Sequence, residues 1–360
     1  MVLRKSLWII FILASLTAAQ DDEFFEAETN VGGYGELHYN GVSAPGEETT
    51  KTLDFHRFVL FINHNWTEKF SFKSELEVEH NMVQGDKETG MVALEQAFVD
   101  YHYSDLIGFQ AGIILVPAGL INPYHEPPLF FSVERPDYSK YIIPTTWSGN
   151  GLSLYGRYKG LEYRLTAIEG LNGANFSRTN GIRKGRQKGY LADASTLLYT
   201  LSLDYTAIPG LRVGFSSSYN KAVVSKDIFL PVRLNEGHLQ YRYHNFMLRG
   251  EFGQINYDGG QSGFSLKRAY GYYVDLGYNV APALNLTGEL SPWFRYTTRD
   301  MAAETVAGAS DGKNRFDKWL LGISYKPIPE VVYKAEMGRE TLQADQSTTK
   351  LFNLGVGYMF

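Results

Sequence analysis

The amino-acid sequence predicts an all-β fold, a transmembrane antiparallel β-barrel of about sixteen strands. Three observations predict it: apolar residues recur at every second position over most of the chain, short and long connections alternate, and the last strand alternates up to an aromatic terminus. Composition narrows the alternatives. The 360 residues include no cysteine, so disulfides and thiolate metal sites are excluded, while 25 tyrosines and 22 phenylalanines supply the aromatic content such barrels carry at their interfaces. A net charge of -5 argues against a nucleic-acid partner, and 20% charged residues is too polar for a bundle of membrane helices.

At the N-terminus, Arg4 and Lys5 precede an apolar run from Leu7 to Leu13, and Thr17-Ala18-Ala19 follow. This is the order of a secretory signal peptide over residues 1–19, leaving 20–360 as the barrel. The run is short against the roughly 20 residues a spanning helix needs. Gln20, not cysteine, follows the expected cleavage point, so a lipid-modified form is excluded. An exported chain without cysteine fits a bacterial cell envelope.

The strands follow from alternation. Phe70, Phe72, Leu76 and Val78 fall on one face, and Ser71, Lys73, Glu75 and Glu77 on the other. The same split separates Leu197, Tyr199, Leu201, Leu203 and Tyr205 from Thr200, Ser202 and Asp204. Faces this charged are expected to meet water, not a core. Short turns at Thr67-Glu68, Ser104-Asp105, Lys159-Gly160 and Ile208-Pro209-Gly210 alternate with longer stretches such as Gly41 to Thr52 and Asn172 to Ser195, which matches periplasmic turns and extracellular loops. A soluble propeller or sandwich would also need many strands, but no motif recurs at a fixed period.

One connection is exceptional: 117–147, between the fifth and sixth strands, carries six prolines, the apolar triplet Leu129-Phe130-Phe131, and the charged residues His125, Glu126, Glu134 and Arg135. Loops of this length are usually functional, and the triplet would be costly to leave in water. Two readings stay open, a segment that enters and constricts the barrel and a stiff cap over its mouth. On the water-facing positions Arg57, Lys73, Arg157, Arg164, Arg212, Arg242, Arg249, Arg295 and Lys334 are basic, against Glu36, Glu75, Glu77, Glu79, Asp100, Glu162, Asp204, Glu236, Glu251, Asp275, Glu289 and Glu336. Carboxylates dominate early strands and arginines the sixth to eleventh. That distribution predicts either walls of opposite sign with a field between them or local pairs across neighbouring strands. A basic cluster, Arg178, Arg183, Lys184, Arg186 and Lys188, follows the seventh strand and would gather anions, bind lipopolysaccharide phosphates, or simply be solvated.

The run Gly112-Ile113-Ile114-Leu115-Val116-Pro117-Ala118-Gly119, then Glu134-Arg135-Pro136, Ile143-Pro144, Trp147 and Gly151, resembles the phosphate-selective O/P-type porins and their relatives. So do Leu94-Glu95-Gln96-Ala97-Phe98-Val99-Asp100-Tyr101 and Gly33-Tyr34-Gly35-Glu36. The resemblance covers about 32–173 well. It implies a sixteen-stranded outer-membrane porin, commonly a homotrimer, passing small hydrophilic or ionic solutes by diffusion. General porins fold their third extracellular loop into the barrel, and 117–147 holds that ordinal position. The basic ladder of the phosphate-selective members is not matched residue by residue, so anions such as phosphate stay open. The end Phe352, Leu354, Val356, Tyr358 and Phe360 resembles the signal read by barrel-insertion machinery; outer-membrane lipid and lipopolysaccharide are the other expected partners.

Enzymatic readings are weaker. The eight histidines are scattered, His56, His64 and His80 show no ligand pattern, no glycine elbow surrounds a serine, and His125-Glu126 is a poor metal motif on its own. No cofactor fingerprint follows any strand. A structural or adhesive barrel remains the alternative; sixteen strands would leave it an aqueous lumen that eight to ten would fill.

Overall fold

A computed structural model describes residues 25–82 and 90–360; the signal-peptide expectation for 1–19 lies outside them. Sixteen long strands run β1 (Glu28–Ser43), β2 (Thr50–Asn65), β3 (Phe70–Glu79), β4 (Met91–Ser104), β5 (Ile107–Leu115), β6 (Ser148–Tyr158), β7 (Leu161–Glu169) and β8 (Leu197–Tyr205), and continue as β9 (Leu211–Ser225), β10 (Ile228–Tyr243), β11 (Phe246–Tyr257), β12 (Leu266–Tyr278), β13 (Glu289–Thr305), β14 (Arg315–Ile328), β15 (Val331–Leu342) and β16 (Thr348–Met359). A two-residue strand, Gly308–Ala309, extends β13 in the loop after it. Each strand pairs antiparallel with its sequence neighbours, and β1 also pairs with β16, from Tyr34↔Met359 to Ser43↔Lys350, so the sheet closes. Closure leaves no unpaired edge in lipid.

Alternation decides which face each residue takes. Phe70 and Leu76 are exposed on the outer face while Glu75 and Glu77 are buried inside, and β8 repeats the split residue by residue. Short turns follow their sequence chemistry: Lys159 and Gly160, at φ 49° and 83°, both take left-handed backbone, the two-residue geometry that matches strand twist. Gly210, at φ 79°, sits where a Cβ would lie 2.1 Å from the Arg242 carbonyl oxygen, so only glycine fits the turn. The C-terminus is tied into the wall, since Phe360 exchanges 3.0 Å backbone hydrogen bonds with Gly33 and its ring stacks on Phe58.

The interior departs from the expected uniform water-facing lining. Towards the ends of β7 to β13 that carry the long loops, Ile168, Leu198, Leu230, Leu234, Ile255 and Ala269 point inward and are buried with Tyr138, Ile142, Ile143 and Trp147 of the long connection and Phe176 and Ile182 of the loop after β7. This is the core of the molecule. Charged alternation marks the inside correctly in the lower halves of these strands; in the upper halves the connections bring their own apolar side chains to meet an apolar wall.

Candidate functional site

The segment joining β5 to β6 is built around a narrow neck. Val116 N–H donates to the Trp147 carbonyl at 2.7 Å, and Asn122 clasps both ends, donating to the Val116 carbonyl and accepting from Trp147 N–H at 2.7 Å each. Proline fixes the first 3-10 turn, Pro127–Leu129, and one short helix, Tyr138–Tyr141, follows. From this neck the chain reaches many strands. His125 Nε2 lies 3.1 Å from Glu75 Oε1 on β3, while Leu120 N–H donates to Glu251 on β11 at 2.9 Å and the Leu129 carbonyl accepts from Arg249 at 2.8 Å. β3 and β11 stand eight strands apart in a ring of sixteen, so one segment is bonded to diametrically opposed walls. Ser132 Oγ accepts from Arg295 and its carbonyl from Lys334, Val133 N–H donates to Glu336, and Asp137 pairs with Arg299 and Lys318. Phe130 lies beneath the Lys334 ammonium and Phe131 stacks on Trp293, while Leu129 remains exposed.

Glu134 accepts from Asn40 at 2.8 Å and lies 3.0 Å from His38 on β1, yet 44% of its side chain stays accessible. Burial would raise its carboxyl, but the His38 hydrogen bond and the nearby imidazoles win and hold it at about 2. His125 is buried; desolvation and Arg135 push its pKa down, and the carboxylates of Glu75 and Glu95 more than reverse this, to about 10. Arg135 braces the segment itself, donating to Thr146 Oγ1 and the His125 carbonyl. Glu126 is half-buried, with one carboxylate oxygen unpartnered.

On the walls, neighbouring strands pair many of the charges. Arg57 sits between Glu36 on β1 and Glu77 on β3 at 2.7 and 3.1 Å, Arg295 is bonded to Asp275, and Arg212 bridges Glu162 and Asp204. Carboxylates and arginines therefore do not face one another as two separate walls at these positions. Basic residues, paired and unpaired, also gather near the short turns. A cavity of about 470 Å³ is lined by Lys73, Arg157, Arg164 and Arg212 with Asp105, Glu162 and Asp204. Another of about 760 Å³ is lined by Arg212, Arg242, Arg249 and Lys326 with Glu289 and Glu330. In the loop after β7, Lys184 is exposed, but Arg186 donates to the Thr145, Thr146 and Arg183 carbonyls, and its burial and the adjacent Arg183 lower its pKa to about 10. Arg183 is half-buried.

Two inward residues escaped the alternation because β-bulges place them there. Register shifts make Glu95 the extra residue of β4 against β3, and His56 the extra residue of β2 against β1. Glu95 then lies 3.6 Å from His125, and Asp54 and His56 join the inner face beside Arg57. The histidines that looked scattered are therefore partly gathered: Asp54 Oδ2 is 3.0 Å from His56 Nδ1 and 2.8 Å from His80 Nδ1.

The sequence model of the phosphate-selective porin O and P family matches residues 31–325, most of the chain. The chain belongs to that family. A porin of this family is a channel of the bacterial outer membrane, which sets the short turns on the periplasmic side and the long loops outside. An uncharacterized protein of Aquifex aeolicus is 31% identical over 351 residues, covering 92% of this porin and 80% of the relative. Among solved structures, the anion-selective porin from Comamonas acidovorans superposes with a TM-score of 0.62 at 12% identity, over 93% of this chain and 100% of that one. OmpT of Vibrio cholerae in its trimer form gives 0.56 at 14% identity, over 93% and 100%. At such identities these two structures support the barrel fold alone. Family and fold are those of a channel rather than an enzyme.

Proposed function

We propose that this porin passes small hydrophilic and ionic solutes by passive diffusion and that residues 117–147 form its constriction. The observation carrying this reading is the bonding of one segment to Glu75 on β3 and Glu251 on the opposite wall. A cap over the mouth would reach only the upper rim; this segment meets Arg249, Arg295 and Lys334 well down their strands. Glu134 and Arg135 are partly accessible to a solute, while the buried Glu36, Glu75, Glu77 and Glu95 with Arg57 and His125 act on it through their field. Diffusion down a gradient needs no cofactor and no catalytic group. Purified protein in planar bilayers gives stepwise conductance under this reading, and its persistent absence would favour a structural or adhesive barrel.

A preference for anions, phosphate among them, is favoured by the periplasmic cavity in which Arg212, Arg242, Arg249 and Lys326 outnumber Glu289 and Glu330. Reversal potentials in a salt gradient test it, an anion-directed potential supporting it and a cation-directed one refuting it. Assembly as a homotrimer is supported by the trimer form of the Vibrio cholerae relative in fold. Insertion through machinery that reads Phe360 and contact with outer-membrane lipid and lipopolysaccharide complete the proposal. The protein would then run as a heat-sensitive oligomer on a denaturing gel.

A further inference from the structure

We propose that Asp54, His56 and His80 form a divalent transition-metal site, of the zinc or nickel class, at the extracellular end of the pore wall. Both imidazole Nδ1 atoms approach the same carboxylate oxygen, at 3.0 and 2.8 Å, and the three side chains offer ligand atoms that lie within 4.8 Å of one another. With bonds of about 2.0–2.2 Å, tetrahedral ligands stand roughly 3.4 Å apart, so small side-chain rotations close this set around an ion. Two imidazoles and one carboxylate suit zinc, nickel or copper over calcium or magnesium, and three protein ligands leave a position for water.

The backbone is arranged to bring these groups together. The bulge at His56 turns it onto the same inner face as Asp54, although Arg57 also points inward. His80 directly follows β3 with a left-handed backbone (φ 56°), unusual for a side-chain-bearing residue, and its N–H donates to the His56 carbonyl at 3.1 Å. The nearby positive charge is already neutralised, since Arg57 is paired with Glu36 and Glu77. His38 stacks on His56 with ring centroids 4.6 Å apart, but both its nitrogens face carboxylates, Glu36 and Glu134, so it supports the ring and is not a ligand. All three proposed ligands keep some surface open to the lumen, His80 most of all, which gives an ion a route in.

The test is calorimetric titration of ZnCl2 into the purified full-length porin, with Asp54→Asn, His80→Ala and, as a comparison, His102→Ala. One zinc per chain with micromolar affinity, weakened at least tenfold by Asp54→Asn and by His80→Ala but unchanged by His102→Ala, supports the site. A heat-dependent gel shift shows that each variant is a folded barrel. No saturable binding below millimolar zinc, or binding that survives both ligand variants, overturns it. In bilayers, zinc on the extracellular side shifts the reversal potential towards anions in the parent and not in His80→Ala; equal shifts in both would place the ion elsewhere. The calorimetry does not depend on where the pore is narrowest, so the two proposals fail separately.

Discussion

Across β1 to β4 the inward side chains near mid-barrel are Glu36, Arg57, Glu75, Glu77 and Glu95, buried among one another and against His125. Across the upper parts of β8 to β13 they are Leu198, Leu230, Leu234, Ile255 and Ala269, buried against Tyr138, Ile142 and Trp147. The same long connection serves both regions, held on one side by ion pairs and on the other by apolar packing. Apolar contacts fix the segment with little dependence on pH or salt, whereas the charged contacts respond to both. On the proposed function, the first region would choose solutes and the second would hold the segment still.

The comparison breaks most visibly on the apolar side. Trp147→Ala removes a fully buried indole and costs about 4 kcal/mol of stability, read as a lower denaturant midpoint with gating noise in the current. Somewhat smaller is Asp275→Ala, which strands the buried Arg295 guanidinium. Ser132 Oγ and the faces of Tyr273 and Trp293 remain to soften the loss, so about 3 kcal/mol is expected. Replacing Arg295 and Asp275 together by methionine and leucine should recover most of that loss, and a double variant as unstable as the single one would show that the pair is more than mutually neutralising.

Acid and base separate the regions further. His125 titrates near 10 in the folded protein against 6.5 ordinarily, so its contribution is full below pH 6.5 and is lost as pH rises towards 10. Glu134, held near 2 against 4.5, contributes fully above pH 4.5 and loses its share as pH falls towards 2, a smaller effect because the side chain is half-open to water. Hydrogen exchange in 120–135 should therefore be slowest between about pH 4.5 and 6.5 once intrinsic rates are divided out, and faster towards pH 10. In His125→Asn the alkaline rise should flatten, while protection around Ile142 and Trp147 stays level throughout.

Much of this was legible in the sequence. Alternation sets the facing of most strand residues, and the prolines and apolar triplet single out 117–147 in the sequence. Glu95, Asp54 and His56 were not legible, because a bulge adds one residue and reverses the parity on which facing is read. The apolar upper wall was missed for another reason: Leu230, Leu234 and Ile255 look like lipid-facing residues unless it is known that Tyr138 and Trp147 arrive from a distant loop to cover them. Arg186 read as a free cation, yet its partners are backbone carbonyls of Thr145 and Thr146, which no side-chain motif announces.

The smallest expected effect lies outside both regions. Lys184→Gln, on an exposed loop position, should leave stability within about 0.5 kcal/mol and alter current only at low ionic strength. Glu126→Gln with Glu134→Gln should instead move the reversal potential towards anions at ordinary salt. Equal shifts from the loop and the constriction variants would erase the distinction between them.

The chain's lack of cysteine provides the most direct test of the constriction. Glu134→Cys and, as an outer-loop comparison, Lys184→Cys can each be modified with a negatively charged methanethiosulfonate while single-channel current is recorded. If 117–147 narrows the pore, modification at position 134 cuts the current by at least half within the recording and reducing agent restores it, while modification at 184 changes it little. Confirmed modification at both positions without loss of current at 134 would contradict the account and leave the segment as a cap.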